Sequence, residues 1–262
     1  MTTQAKRAAP AEPKSSIDAR EIAGFAAVAD RWWDASGPFR PLHRLNPVRL
    51  AFIRDALAAH FGLPDGDRPL AGLEIADIGC GGGLICEPLA RLGATVTGID
   101  AAPEALAVAR DHAAGSGLAI DYIETTAEAL ADEGRRFDAV MALEIVEHVA
   151  DRTAFVADCC RLVRPGGSIV MSTLNRTPRA FALAIVGAEY LLRWVPRGSH
   201  RWSKFVRPAE LARDLREAGA RTTDVAGLTY DPLGDRWSRS QDVAVNYILH
   251  AALDDRDRGE PG

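Results

Sequence analysis

The stretch "DIGCGGG", residues 77–83, closes the short apolar run that begins at Leu73 and opens onto "LICEPLARLG" (84–93), which has helical spacing. Four glycines within residues 79–83 carry a large conformational cost unless the backbone must turn sharply or lie against something there. Gly93, at the end of the helical stretch, is placed as its C′ residue. The strand-then-helix alternation continues outward from this point. "ATVTGID" (94–100) predicts a second strand, and "PEALAVARDHAA" (103–114) a helix that opens on Pro103, a position where helices accept proline. "AIDYIE" (119–124), "FDAVMALE" (137–144) and "GSIVMSTLN" (167–175) predict three more strands. A helix is expected from about Arg152 to Val163, stopped by the "RPGG" turn. Strands alternating with helices imply a parallel sheet with right-handed crossovers, an α/β doubly wound fold.

The chain has 262 residues, enough for one large domain with additions, and its 47% hydrophobic and 26% charged composition is that of an ordinary globular protein. Its four cysteines, Cys80, Cys86, Cys159 and Cys160, form no CxxC pair and no Cys/His ligand spacing. They argue for reduced thiols in a cytoplasmic setting, not for a disulfide framework or a zinc site. Residues 1–16 lack an apolar core of signal-peptide length and read as a flexible tail, and 254–262 as a charged one. No stretch approaches the roughly 20 apolar residues of a spanning helix. A formal charge of −5 gives no sign of a nucleic-acid partner.

Ligands of doubly wound sheets bind outside the carboxyl ends of the strands, where "DIGCGGG" lies. Asp100 ends the second predicted strand, where a carboxylate accepts hydrogen bonds from both hydroxyls of a ribose. An adenosine-containing cofactor follows. The dinucleotide fingerprint G-x-G-x-x-G fits poorly, because Leu84 fills the third glycine position when counting starts at Gly79, and Cys86 fills it from Gly81. Asp77 at the mouth of the loop would repel a pyrophosphate and suits a cationic ligand. The pattern Asp77-x-Gly79-x-Gly81-x-Gly83 resembles the first motif of class I S-adenosylmethionine-dependent methyltransferases, whose cofactor carries an amine and a sulfonium and no phosphate.

After the fourth strand comes "LEIVEHV" (143–149). In a helical turn Glu144, Glu147 and His148 stand at i, i+3 and i+4 on one face, where two carboxylates and an imidazole suit magnesium or manganese. The alternative is that the glutamates cap backbone groups while the histidine lines a pocket. Spacing alone does not choose.

Several further segments carry a more specific resemblance. "RWWD" (31–34), "ASGPFRPLHRLNPVRL" (35–50), "STLNRTPRA" (172–180), "GAEYLLRWVPRGSH" (187–200) and "VNYILH" (245–250) occur in the order found in the bacterial ubiquinone-biosynthesis O-methyltransferases. The resemblance runs from about Ile22 to His250. It implies a Rossmann-like fold with a seven-stranded, mostly parallel sheet flanked by helices, N-terminal lid helices and an amphipathic insertion after strand 5. In domain terms it implies a lid over 17–62 and a methyltransferase domain over 63–253. Cofactor contacts are implied for Arg49, Gly79, Asp100 and Leu143, and magnesium for Glu144, Glu147 and His148. The implied substrates are polyprenyl phenols and catechols, methylated in two steps, with other enzymes of the pathway as partners. His148 then has two competing roles, general base or metal ligand.

Residues 176–207 reverse the overall charge. Arg176, Arg179, Arg193, Arg197, Arg201, Lys204 and Arg207 stand against Glu189 alone, a net +6, around the apolar run 180–195. This stretch is expected to lie on anionic membrane lipids, placing the protein at the cytoplasmic face of the inner membrane, peripherally bound. A buried helix with a solvated arginine rim is the alternative. Trp32 and Trp33 are expected to pack a lid helix. His43 and Arg44 are assigned to a loop before a helix starting near Asn46, Cys159 and Cys160 to the core, and His250 to a strand end with no evident partner.

Overall fold

The computed structural model describes residues 28–183 and 202–255. The predicted tail at 1–16, all but the first two residues of the predicted tail at 254–262, the start of the lid, and the centre of the insertion (184–201) lie outside the described residues. Helices are α1 (Arg40–Phe61), α2 (Cys86–Arg91), α3 (Pro103–Gly115), α4 (Ala127–Asp132), α5 (Arg152–Arg161) and α6 (Pro208–Glu217). Strands are β1 (Glu74–Ile78), β2 (Thr95–Asp100), β3 (Asp121–Glu124), β4 (Phe137–Leu143), β5 (Val163–Leu174), β6 (Ala220–Asp231), β7 (Arg236–Ser240) and β8 (Asn246–Leu253).

They form one sheet in the order β3-β2-β1-β4-β5-β8-β6-β7. The first five strands are parallel, as the alternation predicts, and β8, β6 and β7 add antiparallel pairings. The sheet has eight strands where seven are expected. The additional strand comes from the β6–β7 hairpin at the sheet edge, where "RWSRS" is largely solvated and carries no apolar run to signal it.

Alternation along the central strands sends side chains to two cores. Val140, Ile169, Met171 and Leu249 face α5 and α6 through Phe155, Val156, Leu211 and Leu215. Met141, Val170 and Ile248 face the opposite way, onto Phe52, Ile53 and Leu57 of α1, Leu89 of α2 and Leu106 of α3. Cys159 and Cys160 fill the first core, as expected.

Local signals set the helix ends. Pro103 opens α3 and Gly93 follows α2 with φ +102. Asp151 caps α5 by accepting from the Ala154 N–H at 3.0 Å. α5 stops at Arg161, and β5 takes over from Val163 through "RPGG", which forms an irregular opening between the pairs Phe137–Val163 and Ala139–Ser168. α1 starts at Arg40, so His43 and Arg44 are helical and not in a loop. Pro41 marks a loop boundary in the sequence, yet it sits in the first turn, where its missing N–H has no intrahelical acceptor.

His250 is also reassigned. It lies within β8, with Nε2 2.7 Å from Ser168 Oγ and Nδ1 at 2.5 Å from Thr223 Oγ1. Both partners are distant in sequence.

Candidate active site

The site forms at the carboxyl ends of β1, β2, β4 and β5. β1 ends in the glycine turn, whose Gly79 takes φ +74 and whose N–H bonds the Ile99 carbonyl at 2.7 Å. Asp100 anchors the turn. Its Oδ2 accepts from the Gly81 N–H at 2.8 Å and its Oδ1 from the Ala102 N–H at 2.9 Å. Burial raises the Asp100 carboxyl, and those backbone donors hold it down in part.

The space beside the glycines is filled by the chain itself. A Cβ on Gly82 would fall 2.5 Å from Trp32 Cγ, and one on Gly81 2.5 Å from the far edge of the same ring. Trp32 stacks on Phe39 with centroids 3.8 Å apart. Trp33 donates from Nε1 to the Gly82 carbonyl at 2.9 Å and stacks on His112. The tryptophan pair thus lies directly on the cofactor loop, a placement the sequence does not reveal.

Asp77 is 3% exposed. Desolvation pushes its carboxyl up to about 7, against the pull of the Cys86 thiol, with Asp100 adding to the rise. Arg49, on α1, is 2% exposed, and its Nη2 lies 2.6 Å from Glu144 Oε1 while Nη1 donates to Asn46 Oδ1 at 3.3 Å. Burial pulls the guanidinium down, and the carboxylates of Glu144, Glu147 and Asp77 pull it back. Its Nε is buried and unpartnered. Leu143 closes β4 and packs against the core that holds α1.

The turn 144–149 is not helical. Glu144 has φ +54, a left-handed conformation rare for glutamate, and the His148 N–H bonds the Ile145 carbonyl at 2.8 Å. The shared helical face expected for Glu144, Glu147 and His148 therefore does not form. Glu144 Oε1 is taken by Arg49, by Ser172 Oγ at 3.0 Å and by Asn246 Nδ2 at 3.2 Å. Glu147 is 4% exposed and accepts from Thr173 Oγ1 at 2.7 Å, with burial pushing its carboxyl up to about 7. Among the described residues no group of three His, Cys, Asp or Glu side chains is placed to hold a metal ion. The magnesium set that the resemblance implies, Glu144, Glu147 and His148, does not fit this arrangement. Those contacts of Glu144 and Glu147 are to side chains, so they are not the backbone caps of the alternative reading either.

An S-adenosylmethionine ligand does fit. A buried guanidinium with a free Nε suits the methionine carboxylate. A buried carboxyl that burial pushes up to about 7, even with the Arg49 guanidinium pulling it down, suits its ammonium, and Asp100 retains lone pairs for ribose hydroxyls.

Residues 76–171 match the family described as Methyltransferase domain. The chain is 56% identical over 244 residues to the ubiquinone biosynthesis O-methyltransferase of Methylobacterium sp. (strain 4-46), covering 93% of this chain and 97% of that one. It is 54% identical over 243 residues to the enzyme of the same name from Chelativorans sp. (strain BNC1), covering 92% and 96%. The chain belongs to the ubiquinone biosynthesis O-methyltransferase family. The fold is also that of magnesium protoporphyrin IX methyltransferase from Synechocystis PCC 6803, solved with bound SAM, at TM-score 0.58 and 18% identity over 92% of this chain and 99% of that one.

Within this family frame, Ser172, Thr173 and Asn246 are the site residues that sequence reasoning missed. They fall in "STLNRTPRA" and "VNYILH", two of the segments that carry the family resemblance, so the signal was present without a role attached.

Proposed function

We propose that this chain transfers a methyl group from S-adenosylmethionine to the phenol and catechol hydroxyls of polyprenyl quinone precursors, in both O-methylation steps of ubiquinone biosynthesis. The observation that carries the cofactor assignment is the buried Arg49, with its unpartnered Nε, near a buried Asp77 carboxyl that burial pushes up to about 7 despite the pull of that guanidinium. Arg49 takes the methionine carboxylate and Asp77 the ammonium. Asp100 takes the ribose, Gly79 and Gly81 let the loop approach, and Leu143 packs on the adenine. When bound, the cofactor supplies an electrophilic methyl on a sulfonium that becomes a neutral thioether.

The protein's part in such a displacement is alignment and proton removal. A phenol, with a pKa of about 10, is a weak nucleophile until it loses its proton. His148 stands on the turn after β4 beside Glu147, whose carboxyl its charge pulls down, and receives that proton as general base. In this reading neither Glu144 nor Glu147 holds magnesium, because both are engaged by Arg49, Ser172, Asn246 and Thr173.

Peripheral attachment to anionic lipid through 176–207 is the second part of the proposal. It is supported by Phe181, Leu183 and Trp202, which are 45%, 51% and 40% exposed at the two ends of the stretch. Arg176 and Arg179 are engaged by Glu210 and Asp242, so the lipid-facing charge has to come from residues other than these two. No helix among the described residues is long and apolar enough to span a membrane.

The test is methyl transfer from labelled S-adenosylmethionine to a short-tailed prenyl catechol, with EDTA and with added magnesium. Product is expected in both arms. Loss under EDTA with recovery on magnesium would overturn the metal-free proton transfer. Absence of product from protein that binds the cofactor would overturn the acceptor assignment. Co-sedimentation with phosphatidylglycerol vesicles but not phosphatidylcholine vesicles tests the attachment.

A further inference from the structure

Asn246 is 4% exposed and opens β8, paired across the sheet with Leu174 of β5. Its Nδ2 donates to Glu144 Oε1 at 3.2 Å. A carboxylate oxygen accepts and does not donate, so this contact fixes which way the amide points. The amide oxygen is left buried, shut from solvent and without a donor. A buried carbonyl oxygen without a donor is a standing cost, and such atoms in native proteins call for an explanation. Glu144 and His148 belong to the same short turn, so Asn246 is one hydrogen bond away from the turn that carries the proposed general base.

Resting on that assignment, we infer that Asn246 is a substrate-binding residue whose Oδ1 accepts a hydrogen bond from the hydroxyl next to the one being methylated. That neighbouring hydroxyl is the one that a catechol carries and a simple phenol lacks. His148 takes the proton from one oxygen, and Asn246 holds the O–H of its neighbour. This gives the site a means of recognising a vicinal diol without a chelating metal, in keeping with the poor fit of Glu144, Glu147 and His148 to a cation. A site that presents a buried acceptor to a hydroxyl also disfavours the analogue lacking it, because the acceptor stays unmet. Asn175 is the other buried asparagine at this edge with an unpartnered Oδ1. Its Nδ2 donates to the Val243 carbonyl and makes no contact with the Glu144 carboxylate, so it serves as the comparison.

The experiment compares kcat/KM for a catechol bearing a short prenyl chain beside one hydroxyl with kcat/KM for 3-prenylphenol. The second compound keeps the tail and the hydroxyl to be methylated and lacks the neighbouring hydroxyl. The native enzyme is expected to favour the catechol by at least about tenfold. In Asn246→Ala that preference collapses toward one, while cofactor affinity by calorimetry reports an intact cofactor half. General damage to the site would lower both substrates alike and leave the preference standing. A native enzyme with equal kcat/KM for the two compounds would overturn the inference and leave the methyltransferase reading in place. So would Asn246→Ala with its preference retained, or a preference lost in Asn175→Ala instead. Turnover of neither compound by native enzyme would instead bring down the acceptor assignment on which the inference rests.

Discussion

The Glu144 carboxylate lies 2.6 Å from Nη2 of Arg49, tying the turn after β4 to the middle of α1. Arg49 is buried and the Glu144 side chain is one-fifth exposed, so removing the glutamate strands a guanidinium in a poorly solvated place. Glu144→Ala is expected to lower unfolding stability by about 3 kcal/mol, the lower end for breaking a buried pair. Urea denaturation of the cofactor-free protein measures it. The double variant Arg49→Met, Glu144→Leu should lose less than the sum of the single variants, since no charge is then stranded.

Asp77 gives the cofactor site a pH dependence of known sign. Its carboxyl stands at about 7 in the folded protein against an ordinary 3.8, so the folded state holds the proton more tightly than the unfolded chain. Between about pH 4 and 7 this group therefore costs stability as pH rises. A cationic ligand needs the carboxylate, and its affinity moves the opposite way. Cofactor affinity is expected to rise by up to about tenfold per pH unit as pH approaches 7, then level off. Calorimetry should register proton release on binding at pH 6. Asp77→Asn should weaken binding at pH 8 and flatten the profile.

The parallel half of the sheet was legible because its central strands are short apolar runs that break off at polar or turn residues, as at Gly79, Asp100, Glu144 and Asn175, and buried strands have little else to be. Asp77, Gly79, Gly81 and Asp100, the residues proposed for the cofactor, stand out for the same reason, since they lie at or just past the ends of β1 and β2. What stayed hidden depends on residues far apart in sequence. Asn246 meets Glu144 across 102 positions, and although "VNYILH" carries the family resemblance it gives no sign of that contact. β7 carries too few apolar side chains to be read as a strand. The turn after β4 misled by its spacing: i, i+3 and i+4 mark one helical face only if the backbone is helical, and Glu144 at φ +54 breaks that condition.

His250 offers a stability test away from the site. Burial, with the charge of His60 adding to it, lowers its imidazole from 6.5 to about 4, while Asp224 pulls the other way. The folded protein therefore resists the proton that the unfolded chain accepts. The stability this gives is present above about pH 6.5 and is lost as pH falls toward 4. Urea midpoints at pH 7 and pH 5 should show the loss. His250→Gln should be less stable than the native protein at pH 7 and should lose less on acidification.

His148 is separable from the cofactor residues by kinetics. As general base it acts on the phenol proton and touches neither the methionine end nor the ribose. His148→Ala is expected to lower kcat by about 10²- to 10⁴-fold with cofactor affinity within about twofold of native. The acid limb that a base imposes on the kcat profile should vanish with it. An equal loss in cofactor affinity would assign the residue to shaping the pocket instead.

Trp32 on the glycine loop gives the last prediction. Gly82 has no positive φ, so an alanine there meets no backbone strain, only the ring of Trp32. With Cγ 2.5 Å from the added Cβ, either the tryptophan or the loop must shift. Gly82→Ala should therefore cost about 1–3 kcal/mol, the range for overpacking a filled site. Trp32→Ala opens that space and should cost about 3–5 kcal/mol by itself, since it also removes the stack on Phe39. The two losses should not add: in the double variant the alanine methyl has nothing to strike, and a coupling of about 1 kcal/mol or more is expected from a thermodynamic cycle. Additive losses would mean that the tryptophan does not rest on the loop in solution. If it does, cofactor binding and the packing of the N-terminal segment share one surface, and Trp32→Ala should change the cofactor KM by more than it changes kcat.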